Sequence, residues 1–266
     1  MVKLFLNEDL VIEKYIELKN IHKVAKYFNV SVTPISKLLK NKNIELTNRR
    51  HRINDEYFDI IDSEEKAYWL GFLFADGYIR ERKSGNSLEL KLSIKDREHL
   101  ELFKKCLEST HKIVTSVNEV KYKNGTSKSE MCHLAIYSKK LVESIKTKGI
   151  HSRKTFTIKK PNINSKLMNH FVRGYFDGDG SFSFNPNNYS IKTQIVSASD
   201  EFINFIISEL GKNGIKINLY SNIKLQIQNK IDNIKFYNYI YGGSKIFLKR
   251  KKDKYEHFRK YYGYDN

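Results

Sequence analysis

Two aspartates, Asp76 in "FLFADGYI" and Asp179 in "YFDGDGSF", stand where an apolar aromatic stretch meets a glycine. A single Asp-Gly in that position is an ordinary helix stop. Here the surroundings match as well: "AYWLGFLFADG" at 67–77 and "HFVRGYFDGDG" at 170–180 align with Asp76 on Asp179 and Gly77 on Gly180. Small residues recur four apart in both, Gly71 and Ala75 in the first, Gly174 and Gly178 in the second. That spacing places them on one helix face, where they let another backbone approach closely. Close approach offsets the ~1 kcal/mol that each mid-helix glycine costs. Two such helices side by side and running in the same sense bring their C-terminal ends together, with Asp76 beside Asp179. Each carboxylate then meets the negative end of a helix dipole and a like charge. A divalent cation relieves both, and Mg²⁺ favours one or two carboxylates completed by waters, backbone carbonyls and phosphate oxygens. Such a metal activates water and stabilises the leaving oxygen of a phosphodiester.

The elements needed to hold these acids occur twice. After each apolar helix comes a strand-like run (78–82 and 180–184), a polar turn ("KSGN" and "NPNN") and a second strand ("SLELKLSI" and "YSIKTQIV"). A helix opened by an acid follows at a nearly equal distance, from Asp96 and from Asp200. Two more strands (111–120 with 130–137, 215–220 with 223–228) and a closing helix complete each copy. The expected fold class is α+β, with two αββαββα halves over 65–166 and 167–266 packed about a pseudo-twofold axis. One half alone is too small to bury both its helices and its sheet face. A further basic helix is expected over 245–260, which carries 8 basic and 2 acidic residues.

Residues 1–47 form a separate helical unit in this reading. "NEDLVIEKYIELKN", "IHKVAKYFNV" and "VTPISKLLKNKNI" carry apolar residues at helical spacing. Asn29 suits a left-handed turn between the last two, Ser31 suits an N-cap, and Pro34 falls inside the first turn. Helix, short turn, helix is the helix-turn-helix pattern. Thr33, Ser36, Lys37 and Lys40 would then face outward toward phosphates and base edges. Residues 48–64 read as a basic linker, with Arg49, Arg50 and Arg52 suited to tracking a nucleic-acid backbone.

The whole chain points to the same partner. Its 48 Lys+Arg exceed its 30 Asp+Glu, a formal charge of +18, as expected of a protein that meets a polyanion. Cys106 and Cys132 show no CxxC spacing, which argues against a zinc ribbon or a disulfide framework. The longest apolar run, 67–75, falls far short of the ~20 residues of a membrane span. Acidic residues arrive early in "MVKLFLNEDL", unlike a signal peptide. The expected location is the cytoplasm, or an organelle matrix if the gene is organellar.

The segments "WLGFLFADG" at 69–77 and "VRGYFDGDG" at 172–180 resemble the two LAGLIDADG motifs of the homing endonucleases, and the repeated order of elements resembles that family over about 65–262. The resemblance implies a site-specific, Mg²⁺-dependent endonuclease cutting both strands of a long double-stranded DNA target to leave 3′ overhangs, with Mn²⁺ or Ca²⁺ able to substitute for binding. One chain holds both halves, so a monomer suffices. The resemblance makes Asp76 and Asp179 the catalytic metal ligands, with Gly77 and Gly180 as further residues of the metal site. Phe74 stands where the family's sixth-position acid is kept as Asp177, and that position is not the catalytic one. Basic residues near the metals are implied too: Lys95, Lys154 and Lys249 are the candidates. Each half would supply a saddle-shaped sheet to the major groove, with Arg80, Arg82, Lys91 and Ser93 facing it in the first and Ser183, Asn185, Lys192 and Gln194 in the second. The alternative is a non-cleaving regulator or intron RNA maturase on the same fold. Loss of the two acids would mark that class, and both are present. An intein would require a Cys or Ser start and a His-Asn end, unlike Met1 and "YGYDN".

Overall fold

The computed structural model describes residues 6–18, 20–44, 51–82, 85–122 and 125–264. Arg49 and Arg50 lie outside them. The chain divides into two compact units, 1–51 and 52–266.

In the first unit, three helices, α1 (Glu8–Leu18), α2 (Ile21–Tyr27) and α3 (Val32–Asn41), bury Val11, Tyr15, Val24, Ala25, Ile35 and Leu39 in a core of their own. Asn20 caps α2, its side-chain oxygen accepting from His22 N at 3.1 Å. Asn29 adopts the left-handed conformation at φ 51°. Ser31 occupies the N-cap of α3 with extended backbone, but its hydroxyl makes no capping hydrogen bond. On α3, Ile35 and Leu39 turn inward while Thr33, Lys37 and Lys40 are exposed and Ser36 is half-buried.

In the second unit the same sequence of elements is laid down twice. The first copy runs α4 (Glu64–Asp76), β1 (Gly77–Arg80), β2 (Ser87–Ser93), α5 (Arg97–Cys106), β3 (Ile113–Tyr122), β4 (Gly125–Tyr137) and α6 (Lys139–Thr147). The second runs α7 (Met168–Asp179), β5 (Ser181–Asn185), β6 (Ser190–Val196), α8 (Asp200–Lys212), β7 (Asn218–Ser221), β8 (Lys224–Ile227) and α9 (Lys230–Tyr241). A last helix, α10 (Lys249–Tyr261), has no counterpart among the described residues of the first copy. The strands form two antiparallel four-stranded sheets of identical topology, β1-β2-β4-β3 and β5-β6-β8-β7. One face of each sheet is apolar and covered by helices: Ile79, Leu88, Leu90, Leu134 and Ile136 in the first, Phe182, Ile191, Ile195, Leu225 and Ile227 in the second. Phe182 stacks on Tyr255 of α10 with ring centroids 3.7 Å apart.

The linker expected over 48–64 is shorter than its composition implied. From Arg52 on the chain belongs to the second unit: Arg52 N donates to Thr110 Oγ1 at 2.8 Å, and Tyr57, Phe58 and Ile61 are buried in the main core. An aromatic pair and an isoleucine contribute too much apolar area to be left in a free tether. Among the described residues no helix is long and apolar enough to cross a membrane.

Candidate active site

Helices α4 and α7 meet backbone to backbone. A Cβ placed on Gly71 would lie 2.0 Å from the carbonyl oxygen of Phe171, and one on Gly174 would lie 1.9 Å from that of Tyr68. Nearer the C-termini a Cβ on Gly178 would lie 2.3 Å from that of Ala75. No side chain larger than hydrogen fits at Gly71, Gly174 or Gly178, and Ala75 is the methyl group packed on the last of them. Ser63 opens α4 by accepting from Lys66 N at 3.3 Å, and Glu64 and Glu65 occupy the first turn, where the dipole favours acids.

The close approach brings the last residues of both helices together. Asp76 Oδ2 lies beside Gly178 of the neighbouring helix, 3.2 Å from where a Cβ would be. Gly77 and Gly180 follow with negative φ (−71° and −83°). Their reason for being glycine is space: a Cβ would strike Leu73 O at 2.6 Å in one and the Phe176 ring at 2.1 Å in the other. Burial, reinforced by the Asp179 charge and opposed by Lys251 and Lys154, pushes the Asp76 carboxyl up to about 6. Asp179 opens to solvent on one side, yet the surrounding protein still raises its carboxyl above the usual range, against the pull of Lys154 and Lys251.

Those two lysines close the helix ends. Lys154 Nζ donates to the carbonyls of Phe74 (2.5 Å) and Ala75 (2.7 Å) at the end of α4. Lys251 Nζ donates to Phe176 (2.8 Å), Gly178 (2.8 Å) and Gly180 (2.6 Å) at the end of α7. Burial pulls both ammonium groups down, Lys251 to about 8, while the carboxylates pull the other way. Lysines so placed satisfy carbonyls that a helix end leaves open and set positive charge against the dipole's negative end.

Of the three basic residues expected at the site, the structure brings only Lys154 there. Lys249 is exposed and pairs with Asp253 at 2.6 Å. Its place is taken by Lys251, two residues on, because a step of two on a helix turns a side chain through about 200°. Lys95 is exposed on a 3₁₀ turn, Ile94–Asp96, and lines a separate cavity of about 350 Å³ with His99, Lys249 and Arg250. In the second copy the Gly180 carbonyl already accepts from an ammonium at 2.6 Å, which makes it a poor metal ligand.

Several residues that hold this arrangement have their partners far away in the sequence. Asp177 is buried and accepts from Tyr68 Oη (2.9 Å), Tyr241 Oη (2.5 Å) and Leu248 N (2.7 Å). It thereby anchors the start of α10, from which Lys251 reaches inward. Arg173, fully buried, donates to the carbonyls of Ile246 and Ile240 and to Glu64 Oε1 at 2.7 Å. Arg250 forms a bidentate pair with Asp96. The arginine inside "FVRGYF" was itself a visible hint, since a charge in an apolar stretch needs partners.

The polar faces of the sheets are set by register. Tyr78↔Glu89 and Arg80↔Ser87 pair across β1 and β2, and Lys91↔His133 and Ser93↔Met131 across β2 and β4. Arg80, Lys91 and Ser93 therefore share the uncovered face, and Lys91 Nζ donates to Asn118 Oδ1 at 3.0 Å. β1 ends at Arg80, so Arg82 is exposed beyond the strand rather than on the sheet. In the second sheet Ser181↔Gln194, Ser183↔Lys192 and Asn185↔Ser190 pair, which puts Ser183, Asn185, Lys192 and Gln194 on its uncovered face.

A family model for the LAGLIDADG-like domain matches residues 63–148 and again 166–254, one match per copy. The chain belongs to the LAGLIDADG-like domain family. Its two LAGLIDADG helices are thus α4 and α7. Among solved structures, the homing endonuclease I-WcaI bound to its DNA recognition sequence is similar in fold, at 17% identity, TM-score 0.52, covering 74% of this chain and 90% of that one. A looser likeness, at 20% identity, TM-score 0.41, covering 71% and 89%, is to the N-terminal LAGLIDADG domain of WhiA. A protein of Methanocaldococcus jannaschii, MJ0314, itself uncharacterised, is 27% identical over 200 residues, 70% of this chain and 69% of its own length.

Two carboxylates form a donor set that suits Mg²⁺, which keeps most of its shell for water and phosphate oxygens. Among the described residues no cluster of three or more His, Cys, Asp or Glu forms a closed metal cage.

Proposed function

We propose that this chain is a site-specific, divalent-metal-dependent endonuclease of the homing type, cutting both strands of double-stranded DNA. The observation that carries the reading is the placing of two carboxylates, Asp76 and Asp179, at adjoining helix ends with Lys154 and Lys251 behind them. Setting two carboxylates beside each other at the negative ends of two helix dipoles is costly unless positive charge balances them, and a divalent cation supplies it.

Asp76 and Asp179 would hold Mg²⁺, whose chemistry is to activate water and stabilise the leaving oxygen. The two lysines have different duties. Lys251 spends its three N–H donors on three carbonyls, so it acts as a fixed charge beneath the phosphate. Lys154 donates to two carbonyls, and its third N–H is free for a phosphate oxygen or the attacking water. Fixed charge in a site partly shielded from water is worth more than the same charge at a surface. The uncovered sheet faces supply Arg80, Lys91, Ser93, Ser183, Asn185, Lys192 and Gln194 for the major groove. The first unit supplies Thr33, Ser36, Lys37 and Lys40 from α3 as a helix-turn-helix that lengthens the contact. Both catalytic halves lie in one chain, so a single copy can cut both strands.

The test is a cleavage selection. A randomised linear duplex library is incubated with the full chain in Mg²⁺ or in EDTA, and the ends produced are sequenced. A defined target opened with 3′ overhangs in Mg²⁺ and left intact in EDTA is expected. Enrichment of bound but uncut duplex would replace the nuclease with a binding protein on the same fold.

A further inference from the structure

The uncovered face of the first sheet holds one residue that a phosphate-binding surface has no use for. Glu89 sits in the middle of β2 on that face, its side chain only 9% exposed. It grips Arg80 through two bonds, Nε to Oε1 at 2.7 Å and Nη2 to Oε2 at 2.9 Å. Ser87 Oγ donates to the same carboxylate at 3.1 Å, and His133 Nε2 lies 3.5 Å from Oε2. The carboxylate is thus held on three sides and orients the guanidinium rigidly. Arg80 keeps 41% of its side chain exposed, and Asp76, Tyr78 and Lys91 line the same depression of about 340 Å³.

A guanidinium has five N–H donors in a planar fork. Glu89 takes the Nε edge, which leaves the Nη1–Nη2 end free as a second bidentate edge. An arginine paired with a neighbouring carboxylate is less suited to phosphate, because the carboxylate's repulsion offsets much of the guanidinium's attraction. A base edge carries no net charge, and guanine offers O6 and N7 in the major groove with the spacing of that fork. Prior orientation by Glu89 also removes the rotamer entropy that a free arginine loses on binding.

The second sheet has different chemistry at the matching places. By register Ser183 stands for Arg80 and Gln194 for Glu89, with Ser181 opposite Gln194 as Tyr78 is opposite Glu89. There is no charge pair there. The amide of Gln194 offers one donor and one acceptor side by side, the pattern that matches N6 and N7 of adenine.

We propose that Arg80, positioned by Glu89, reads a guanine in the half-site next to Asp76, and that Gln194 reads an adenine at the equivalent place in the other half-site. The two half-sites therefore differ in base content near the cut, and the enzyme binds its target in one orientation. This inference rests on the nuclease reading above.

The test is selection of a randomised duplex library by the full chain in Ca²⁺, repeated with Arg80→Ala, Glu89→Gln and Gln194→Ala. The wild type should enrich a guanine on one side of the centre and an adenine on the other. Arg80→Ala should lower the guanine preference by between about 5-fold and 150-fold, the worth of one bidentate base contact. Glu89→Gln should lower it at that same position and leave the rest of the profile intact, a change that a loss of sheet stability would not produce. Gln194→Ala should relax only the adenine. Unchanged preference in Arg80→Ala, with selection otherwise intact, overturns this inference and leaves the nuclease reading standing. A wild type that enriches no sequence at all overturns both.

Discussion

Replacing Lys251 by Met separates the site's chemistry from its scaffolding. The substitution removes an ammonium that donates to three carbonyls at 2.6–2.8 Å. Bonds from a charged donor stabilise by ~1.5–3 kcal/mol each before desolvation is counted. Against them stands the cost of burying the charge: Lys251 is lowered from 10.5 to about 8, which at neutral pH corresponds to roughly 3 kcal/mol against the charged form. Methionine fills the same space but leaves the three carbonyls without a donor, so the burial cost offsets only part of the loss and stability should fall by about 1.5–6 kcal/mol. Catalysis has no such compensation. A fixed positive charge lost from beneath the phosphate should slow cleavage by about 10²–10³-fold. Lys249→Met is the matched control, since it breaks only an exposed i,i+4 pair with Asp253, worth ~0.5 kcal/mol or less. Urea unfolding would report the stabilities, and single-turnover cleavage of the selected target would report the rates. A folded Lys251→Met protein cutting at the wild-type rate, or Lys249→Met losing as much activity, would refute the assignment.

Three further perturbations probe other parts of the account. Gly71→Ala sets a methyl 2.0 Å from the Phe171 carbonyl, so it should destabilise by about 1–3 kcal/mol despite a helix-propensity gain of about 1 kcal/mol. Gly211→Ala on α8, where nothing lies within 4 Å, should instead stabilise by about 0.5–1 kcal/mol; equal effects in thermal melts would contradict the backbone contact of α4 with α7. Burial lowers the His99 ring from 6.5 to about 4, so between those pH values the unfolded chain takes up a proton that the folded chain refuses. The associated stability is full above pH 6.5 and falls away toward pH 4, by about 3 kcal/mol; the slope should flatten in His99→Gln, and a slope that persists would assign it elsewhere. Lys37→Ala with Lys40→Ala should reduce the salt dependence of DNA affinity by about two counterions, and an unaltered slope in binding titrations would remove α3 from the interface.

The features legible in the sequence were those written in local spacing. The repeat, the two acids and the small-residue face of each long helix all lie within single stretches of chain, and α4 and α7 pack on Gly71 and Gly174 as that spacing implies. What stayed hidden depends on phase or on distant partners. Lys249 and Lys251 lie in one basic run, "FLKRKKDK", and only the rotational setting of α10 decides which of them turns inward. Arg82 continues the alternation of β1, but the strand stops at Arg80. Asp177 and Arg173 are held by residues such as Tyr241, Leu248, Ile246 and Glu64, each far from them in sequence. Glu89 was visible in "SLELKL" as an acid on a face otherwise read for basic groups, and its purpose required seeing Arg80 beside it.

The most direct test of the account is strand-resolved cleavage of the selected duplex by Asp76→Asn and by Asp179→Asn in Mg²⁺. Each substitution keeps the shape of the side chain and removes one carboxylate from the pair. Both variants should still bind the target, neither should complete the double-strand break, and the double variant should cut nothing. Double-strand cleavage at the wild-type rate by the double variant would contradict the account.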